Sequence, residues 1–453
     1  METAGSRLLT LAVLMELIAI CLSSTGLGAV AGGLFILCFL GAGKRLHTYA
    51  RLLLLVSLVV TAGFFVRGLL GVDRLIKASA DAAFYAAFLG SLGMMQCLVR
   101  RFEVLHRIHD VLLGGRVTWL YPKYAVVSCG IASVLSFGMM NLLCGSLSGT
   151  LEARGVAGES RQQWLRSVLT SALRGFALVP LVAPTSVAVA ILTRELPQLS
   201  WFMLLPYGLA AAVILIVVGW LLEQQRFRRV SSERVVLDQW PSGTLRLLSL
   251  VLTVFSLMAV IVSVTDFKIS VAAMLAVPSI TLLYMLWEER SVAVVLEEGV
   301  AQVSAMHNEM AIFSASAILG VSVSSLIPKD ALSGLVTTPG GMWVFAVVGM
   351  LSLPLLSVIG IIPITVLSVQ AGLLPQLVAE GLDPVLISAA LVIGFSLAMM
   401  LSPFGPSVML LSRFGRVPRW VVAFRWNSAF ILIAVPLLLL LLALEIVFLP
   451  TML

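Results

Sequence analysis

The sequence predicts an all-α polytopic membrane protein with two inverted structural repeats, about 11 transmembrane helices and two re-entrant hairpins. The first observation is composition. Of 453 residues, 60% are hydrophobic and 11% are charged, whereas soluble domains carry roughly 25% charged residues. The second observation is a series of long apolar stretches along the whole chain. The third is one passage that occurs twice. Together they exclude a soluble protein.

The apolar stretches define the candidate elements in order. In the first half they are 8–23, 25–42, 51–68, 80–98, the long stretch 121–149, the interrupted helix 166–194 and 199–222. In the second half they are 247–264, 268–287, 309–327, the long stretch 340–372, the interrupted helix 380–412 and 419–449. A stretch of about 18 apolar residues is long enough to cross the bilayer. The first stretch is interpreted as a retained span and not a cleaved signal, because a second apolar segment follows almost at once.

The repeated passage lies in the two interrupted helices. At an offset of 219, the difference between positions 175 and 394, Gly175 matches Gly394 and Pro184 matches Pro403. Further matches include Phe176 with Phe395, Arg194 with Arg413, and Trp201 with Trp420. In each copy proline and small polar residues interrupt an apolar helix. In a membrane protein, this combination indicates a binding site between two related halves.

The duplication divides the chain into a first repeat, 1–222, a cytoplasmic linker, 223–246, and a second repeat, 247–453. The linker is polar and rich in arginine. The stretches 121–149 and 340–372 resemble each other in length and small-residue breaks, which favours a re-entrant hairpin in each half, although single long helices are an alternative. With the N-terminus inside, the basic loops are cytoplasmic and the span count makes the two halves inverted.

This layout resembles that of the ion-transporter superfamily, which includes the divalent-anion/sodium symporters, the citrate carriers and the large subunit of TRAP transporters. The resemblance implies a substrate and a coupling ion held between hairpin tips and unwound helices, and one domain that moves against a fixed scaffold. The divalent-anion symporters carry a Ser-Asn-Thr triplet at these positions. Here Asn141 and several hydroxyl residues remain of that pattern.

The predicted substrate- and ion-binding residues are those of the hairpin centres and the helix interruptions. They are Asn141, Gly145, Ser146, Pro184, Thr185, Ser186, Pro363, Thr365, Ser402, Pro403, Gly405 and Ser407. A broken helix exposes backbone carbonyls and amides that can coordinate an ion, and the hydroxyls donate or accept hydrogen bonds. A proline kink satisfied by neighbouring helices, and a structural hydrogen bond of Asn141, are the alternative interpretations.

Charged residues in or near the spans are few. Arg174 and Arg425 are candidate anion contacts, with interfacial snorkelling as the alternative. Glu16, inside the first span, is a candidate proton relay, and Arg194 and Arg413 are interpreted as membrane boundaries. The acidic residues at 288–298 predict an amphipathic surface connector.

The predicted function is a secondary active transporter that moves a small carboxylate-like anion across the plasma (bacterial inner) membrane, coupled to Na⁺ or H⁺. An inorganic-ion carrier or cation/proton antiporter is the first alternative. A membrane assembly factor or enzyme is the second, disfavoured because the spans carry no paired acids or Ser/His dyad. No P-loop motif is present, and no cofactor, metal or nucleic-acid partner is predicted. Membrane lipid is an expected partner; a homodimer and an accessory subunit are left open.

Overall fold

The computed structural model is helical throughout the residues it describes, which are 2–102, 112, 117–135, 140, 143–145, 147, 158–230, 244–327 and 338–448. Within these ranges the chain forms one connected buried core of apolar side chains. The all-helical polytopic membrane fold is therefore confirmed, and the prediction for 121–149 falls partly outside the described residues.

The first half contains nine α-helices in the described residues. They are α1 (Glu2–Cys21), α2 (Thr25–Gly41), α3 (Thr48–Val66), α4 (Val72–Gly93), α5 (Leu120–Leu135), α6 (Gly158–Phe176), α7 (Val179–Val182), α8 (Val187–Glu195) and α9 (Trp201–Val230). Two 3₁₀ segments, Met94–Arg101 and Val117–Trp119, follow α4 and precede α5.

The second half has the same helical character where it is described. Its helices are α10 (Thr244–Val264), α11 (Ile269–Glu289), α12 (Val292–Ala305), α13 (His307–Ser324), α14 (Pro339–Val358), α15 (Pro363–Ala379), α16 (Pro384–Leu401), α17 (Pro406–Gly415) and α18 (Ser428–Phe448). A π-helical turn, Val421–Arg425, precedes α18.

Ten helical segments in the described part of the chain are long and apolar enough to cross a membrane. Two predicted spans are not among them. α2 has only 17 residues, and α13 begins with the polar residues His307, Asn308 and Glu309. Conversely, α14 qualifies, although the sequence predicted it as one arm of a hairpin.

Burial separates the interior segments from the lipid-facing ones. Of the most apolar 18 residues in Arg161–Glu195 and in Pro384–Gly415, 89% and 83% are buried. The corresponding share in Leu245–Val264 is 17%. The two interrupted helices therefore lie in the protein interior. Their backbone breaks are shielded from lipid, which is the condition under which irregular backbone is tolerated at membrane depth.

Several boundaries differ from the sequence prediction. α4 begins at Val72, not at 80, and Lys77 in its second turn pairs with Asp81 of the same helix and with Glu195 of α8. α9 continues to Val230 into the predicted linker, where Glu223 is buried by a partner from another helix. In both places the sequence prediction assigned charged residues to loops, whereas the helices continue through them and Lys77 and Glu223 pair with residues of other helices.

One arginine pairs with three of the acidic residues at 288–298. Arg101 lies 3.0 Å from Glu288, 2.6 Å from Glu289 and 2.8 Å from Glu298. Hydrogen bonds from the guanidinium to Glu298, with those to Glu289, raise the pKa of Arg101. The guanidinium therefore stays charged and ties the end of α11 and the middle of α12 to the segment that follows α4.

Candidate functional site

The helix breaks form where proline removes a backbone donor. α7 ends at Val182 and α8 begins at Val187, with Pro184 between them. α16 ends at Leu401 and α17 begins at Pro406, with Pro403 between them. A proline cannot donate to the preceding turn and disfavours helical geometry in the residue before it. Ala183 and Ser402, which precede the prolines, accordingly have extended backbone.

The two breaks share one hydrogen-bond pattern. The amides of Ala183 and Ser402 each close the preceding helix, by donating to Val179 and Ala398 respectively at 2.9 Å. Three residues later, the amides of Ser186 and Gly405 donate to the carbonyls of Ala183 and Ser402, both at 3.1 Å. The offset that aligns the repeated sequence thus also aligns the local geometry of the breaks.

A cavity of about 110 Å³ lies where the breaks meet the turn between α14 and α15. Its lining is mostly apolar. The described residues that line it are Ala132, Phe176, Val179, Pro180, Thr185, Ser186, Val187, Glu309, Ile312, Phe313, Ile362, Pro363, Ile364, Phe395, Met399, Ser402, Gly405, Pro406 and Ser407. An apolar cavity of roughly 150 Å³ holds a benzene molecule. The space therefore fits a small ligand or the compact apolar part of a larger one.

Three helices begin at the wall of this cavity. Ser186 is the N-cap of α8, Ile362 that of α15 and Gly405 that of α17. The first amides of a helix have no intrahelical acceptor, and the helix N-terminus carries partial positive charge. Such ends bind anions. The cavity therefore offers an electropositive wall without any lysine or arginine among its described lining residues.

The hydroxyls at the cavity differ in their hydrogen bonds. Thr185 donates to the carbonyl of Ser133, Ser402 donates to Ser357 at 3.4 Å and Ser407 donates to Met399 at 3.0 Å. The Ser186 hydroxyl is buried and has no hydrogen-bond partner among the described residues. An unpartnered buried hydroxyl costs free energy, so Ser186 is the polar group most available to a ligand.

Glu309 brings a carboxylate to the cavity and was not singled out from the sequence. It lies in the first turn of α13 and is half-buried. The signal in the sequence was available, because it is the only acid in the 18 residues of that helix and an acid within an apolar span is a functional candidate. Its position at the cavity depends on α13 packing against α15, whose N-cap Ile362 also lines the cavity, and sequence alone does not reveal that contact.

Arg174 does not line the cavity, since its guanidinium is used in a buried network. It donates to Asn427 at 3.1 Å, to Glu223 at 3.3 Å and to the carbonyl of Trp426 at 3.0 Å. It also lies over the Phe430 ring, 4.2 Å from the centroid. This set of partners neutralises the arginine and indicates a structural role.

The remaining predicted site residues are dispersed. Pro184 and Pro403 shape the breaks but are not among the described lining residues, and the Thr365 hydroxyl pairs with Ser316 at 2.8 Å. Arg425 is exposed in the π-helical turn before α18, and Gly145 is exposed. Asn141 and Ser146 lie outside the described residues. The structure therefore brings together Thr185, Ser186, Pro363, Ser402, Gly405 and Ser407 from the predicted set.

These features define a polytopic helical membrane protein with an interior cavity between helix breaks. No protein-family model and no curated protein matches the sequence. The fold is similar to that in the crystal structure of the YdaH transporter of Alcanivorax borkumensis. The TM-score is 0.55 at 14% identity, and the match covers 94% of this chain and 98% of that chain. At this identity the similarity establishes the fold alone.

Proposed function

We propose that this protein is a secondary active transporter for a small organic anion, coupled to Na⁺ or H⁺ in the plasma membrane. We place it in the ion-transporter superfamily, with two inverted repeats and two re-entrant hairpins. The observation that carries the proposal is the meeting of two matching helix breaks at one cavity. Broken helices with their N-termini at a substrate are the usual construction of such sites.

The repeats are supported by contacts between equivalent positions. Ser396 donates a hydrogen bond to the carbonyl of Ala177, 219 residues away, which is the offset of the sequence repeat. Two equivalent positions in contact are expected beside a pseudo-two-fold axis. The repeated glycines also behave alike: Cβ atoms at Gly175 and Gly394 would lie 2.5 Å and 2.3 Å from the carbonyl oxygens of Ala125 and Met350.

The second hairpin is supported by the position of its turn. α14 and α15 are joined by the turn at 359–362, and Ile362 and Pro363 line the cavity. α15 has 17 residues, about 25 Å of helix, which is short for a complete crossing. A hairpin that ends at the cavity explains both facts.

The chemistry of the cavity favours a carboxylate with a compact apolar body. The anionic group is expected at the starts of α8 and α17, beside the free hydroxyl of Ser186. The apolar part would contact Phe176, Ile312 and Phe395. Glu309 repels a second anionic group, so a monocarboxylate is preferred to a dicarboxylate of the same size.

An inorganic-ion carrier or cation/proton antiporter is the second candidate, and Glu309 is the observation that favours it. Such proteins use a carboxylate in the membrane interior to bind the cation. The helix N-termini at the same cavity weigh against it, because they disfavour a cation.

Uptake by purified protein in proteoliposomes tests the proposal. Labelled lactate, glutamate, succinate and citrate are supplied with Na⁺ and H⁺ gradients imposed separately. We expect concentrative uptake of at least one anion under one gradient. Cation flux without any anion uptake would support the second candidate, and no gradient-dependent flux would refute both.

Two serine variants test whether uptake depends on the cavity. Ser186→Ala removes a hydrogen bond to an anion, about 1.4 kcal/mol or a tenfold higher KM. Ser388 is likewise buried and without a hydrogen-bond partner among the described residues, but it is not among those that line the cavity. Ser388→Ala should leave the KM unchanged. Equal KM values for the two variants would contradict the proposed anion position.

A further inference from the structure

A second cluster of ionisable groups lies at the far end of α8. Lys77 of α4 is 2.6 Å from Asp81 and 2.9 Å from Glu195, and Arg194 is 3.1 Å from Asp81. Glu16 of α1 completes the cluster, since it lines one cavity together with Arg194. Asp81, Glu195 and Glu16 are all more than nine-tenths buried.

The charges in this cluster do not balance. Three carboxylates face two cations, and both cations are already paired with Asp81 or Glu195. Glu16 is 2% exposed, and its Oε2 atom has no hydrogen-bond partner among the described residues. An ionised carboxylate in such a position is strongly disfavoured unless it is paired, whereas a protonated one is not.

A cavity of about 320 Å³ reaches Glu16 from the loops that follow α1 and α10. Its lining includes Ser24, Arg194, Asp266 and Lys268, and Lys268 holds the adjacent loop by donating to the carbonyls of Pro197 and Leu199. A water needs roughly 10–15 Å³ of such volume. The cavity is therefore large enough for several waters beside a buried acid, which is what proton exchange requires.

We propose that Glu16 binds and releases one proton through this cavity, and that this proton is the coupling ion for the transporter. The proposal rests on the proposed transport function and specifies its coupling ion. With Glu16 neutral, two carboxylates balance Lys77 and Arg194. With Glu16 ionised, it competes with Asp81 for Arg194, so loss of the proton weakens the contact between α8 and α4.

Helix α8 links this cluster to the proposed substrate cavity. Its N-cap, Ser186, lines the substrate cavity, and its last residues, Arg194 and Glu195, belong to the charged cluster. The nine residues of α8 span about 13 Å. A helix this short moves as one rigid unit, so a change in the Arg194 contacts is transmitted to Ser186.

The other helices that pack on α1 add no charge at Glu16. α2 has no charged residue, and the acids of α11 lie at its opposite end, held by Arg101. α12 contacts α1 through Ser6 and Ser304, about 15 Å along the helix from Glu16. The groups that face Glu16 are thus the cluster itself and, across the cavity, Asp266 and Lys268.

Infrared difference spectroscopy of the full chain in lipid nanodiscs reads the proton directly. The wild-type protein should show a protonated carboxyl band that is lost as the pH rises, and Glu16→Gln should lack one component of it. Glu445→Gln is the comparison variant. Glu445 is also buried with both carboxylate oxygens unpartnered among the described residues, so its replacement should remove a different component of the band and leave the Glu16 component in place. An identical band in wild type and Glu16→Gln would overturn the proposal.

Uptake driven by a proton gradient, without Na⁺, tests the coupling. For the panel anion that wild type takes up best, one proton per anion gives about tenfold accumulation for each unit of pH difference. Glu16→Gln should equilibrate the anion without accumulating it, and Glu16→Asp should keep accumulation. Wild-type accumulation that needs only Na⁺, or full accumulation by Glu16→Gln, would overturn the coupling role.

The two proposals fail in different ways. If wild type takes up none of the panel anions, the transport function fails, while the infrared comparison still decides whether Glu16 binds a proton. If Glu16→Gln does not fold, as judged by size-exclusion chromatography, the wild-type and Glu16→Asp proteins supply the comparison. In that case, a protonated carboxyl band that is lost over the same pH range in both proteins would overturn the assignment of the proton to Glu16.

Discussion

Replacement of Gly394 by alanine should separate the second broken helix from α14. A Cβ atom there would lie 2.3 Å from the Met350 carbonyl oxygen and 2.9 Å from Leu353 Cδ1. Ordinary contacts of a Cβ atom begin near 3.4 Å, so α16 and α14 must move apart by about 1 Å. The obstacle is backbone, which cannot rotate away as a side chain can.

The free energy of this change has two opposing contributions. Overpacking in a close-packed interior costs about 1–3 kcal/mol, and alanine in place of glycine within a helix returns up to about 1 kcal/mol. The net expected loss is about 1–2 kcal/mol of stability. Since Met399 and Ser402 lie on and after the displaced helix and line the cavity, anion uptake should fall as well.

Gly63→Ala is the control for this prediction. Gly63 is also within a helix, α3, but a Cβ atom there meets nothing within 4 Å. The assay is the fraction of protein that stays monodisperse after heating in detergent, together with proteoliposome uptake. Gly63→Ala should match or exceed wild type in both. If Gly394→Ala behaved like Gly63→Ala, the close approach of α14 and α16 would be wrong.

Three further changes test individual side chains. Glu309→Gln should raise the uptake of succinate relative to lactate, because it removes the charge that repels a second carboxylate; an unchanged ratio contradicts this role. Glu223→Gln should destabilise the protein by about 3–5 kcal/mol by leaving Arg174 buried and short of a counter-charge, with uptake selectivity unchanged in the folded fraction. Thr185→Val, which loses the hydrogen bond to the Ser133 carbonyl, should lower the melting temperature less than Glu223→Gln does. A larger decrease for Thr185→Val would mean that its hydrogen bond stabilises the fold more than the Glu223 ion pair.

The helix breaks were accessible from sequence because their cause is local. Pro184, Pro403 and Gly405 restrict the backbone wherever they occur, and the same restriction appears as extended backbone at Ala183 and Ser402. The fold class was accessible for a similar reason, since composition and stretch length alone decide between lipid and water.

The partners of charged residues were not accessible from sequence, because they depend on packing between distant helices. Arg174 was expected to face an anion, but it is neutralised by Glu223, a residue assigned to the linker. Arg194 was interpreted as a membrane boundary, yet it pairs with Asp81, 113 residues away. Glu309 was overlooked, because its contact with the cavity depends on the position of α13.

The reactivity of a thiol at Ser186 from each side of the membrane tests whether the cavity is a transport site. Ser186→Cys, in a background without native cysteines, is treated in sealed vesicles with a membrane-impermeant reagent added either outside or inside. A transporter whose cavity alternates between the two sides predicts reaction from both, slowed by the transported anion. Reaction from one side alone, without protection by any panel anion, would contradict transport of an anion through this cavity.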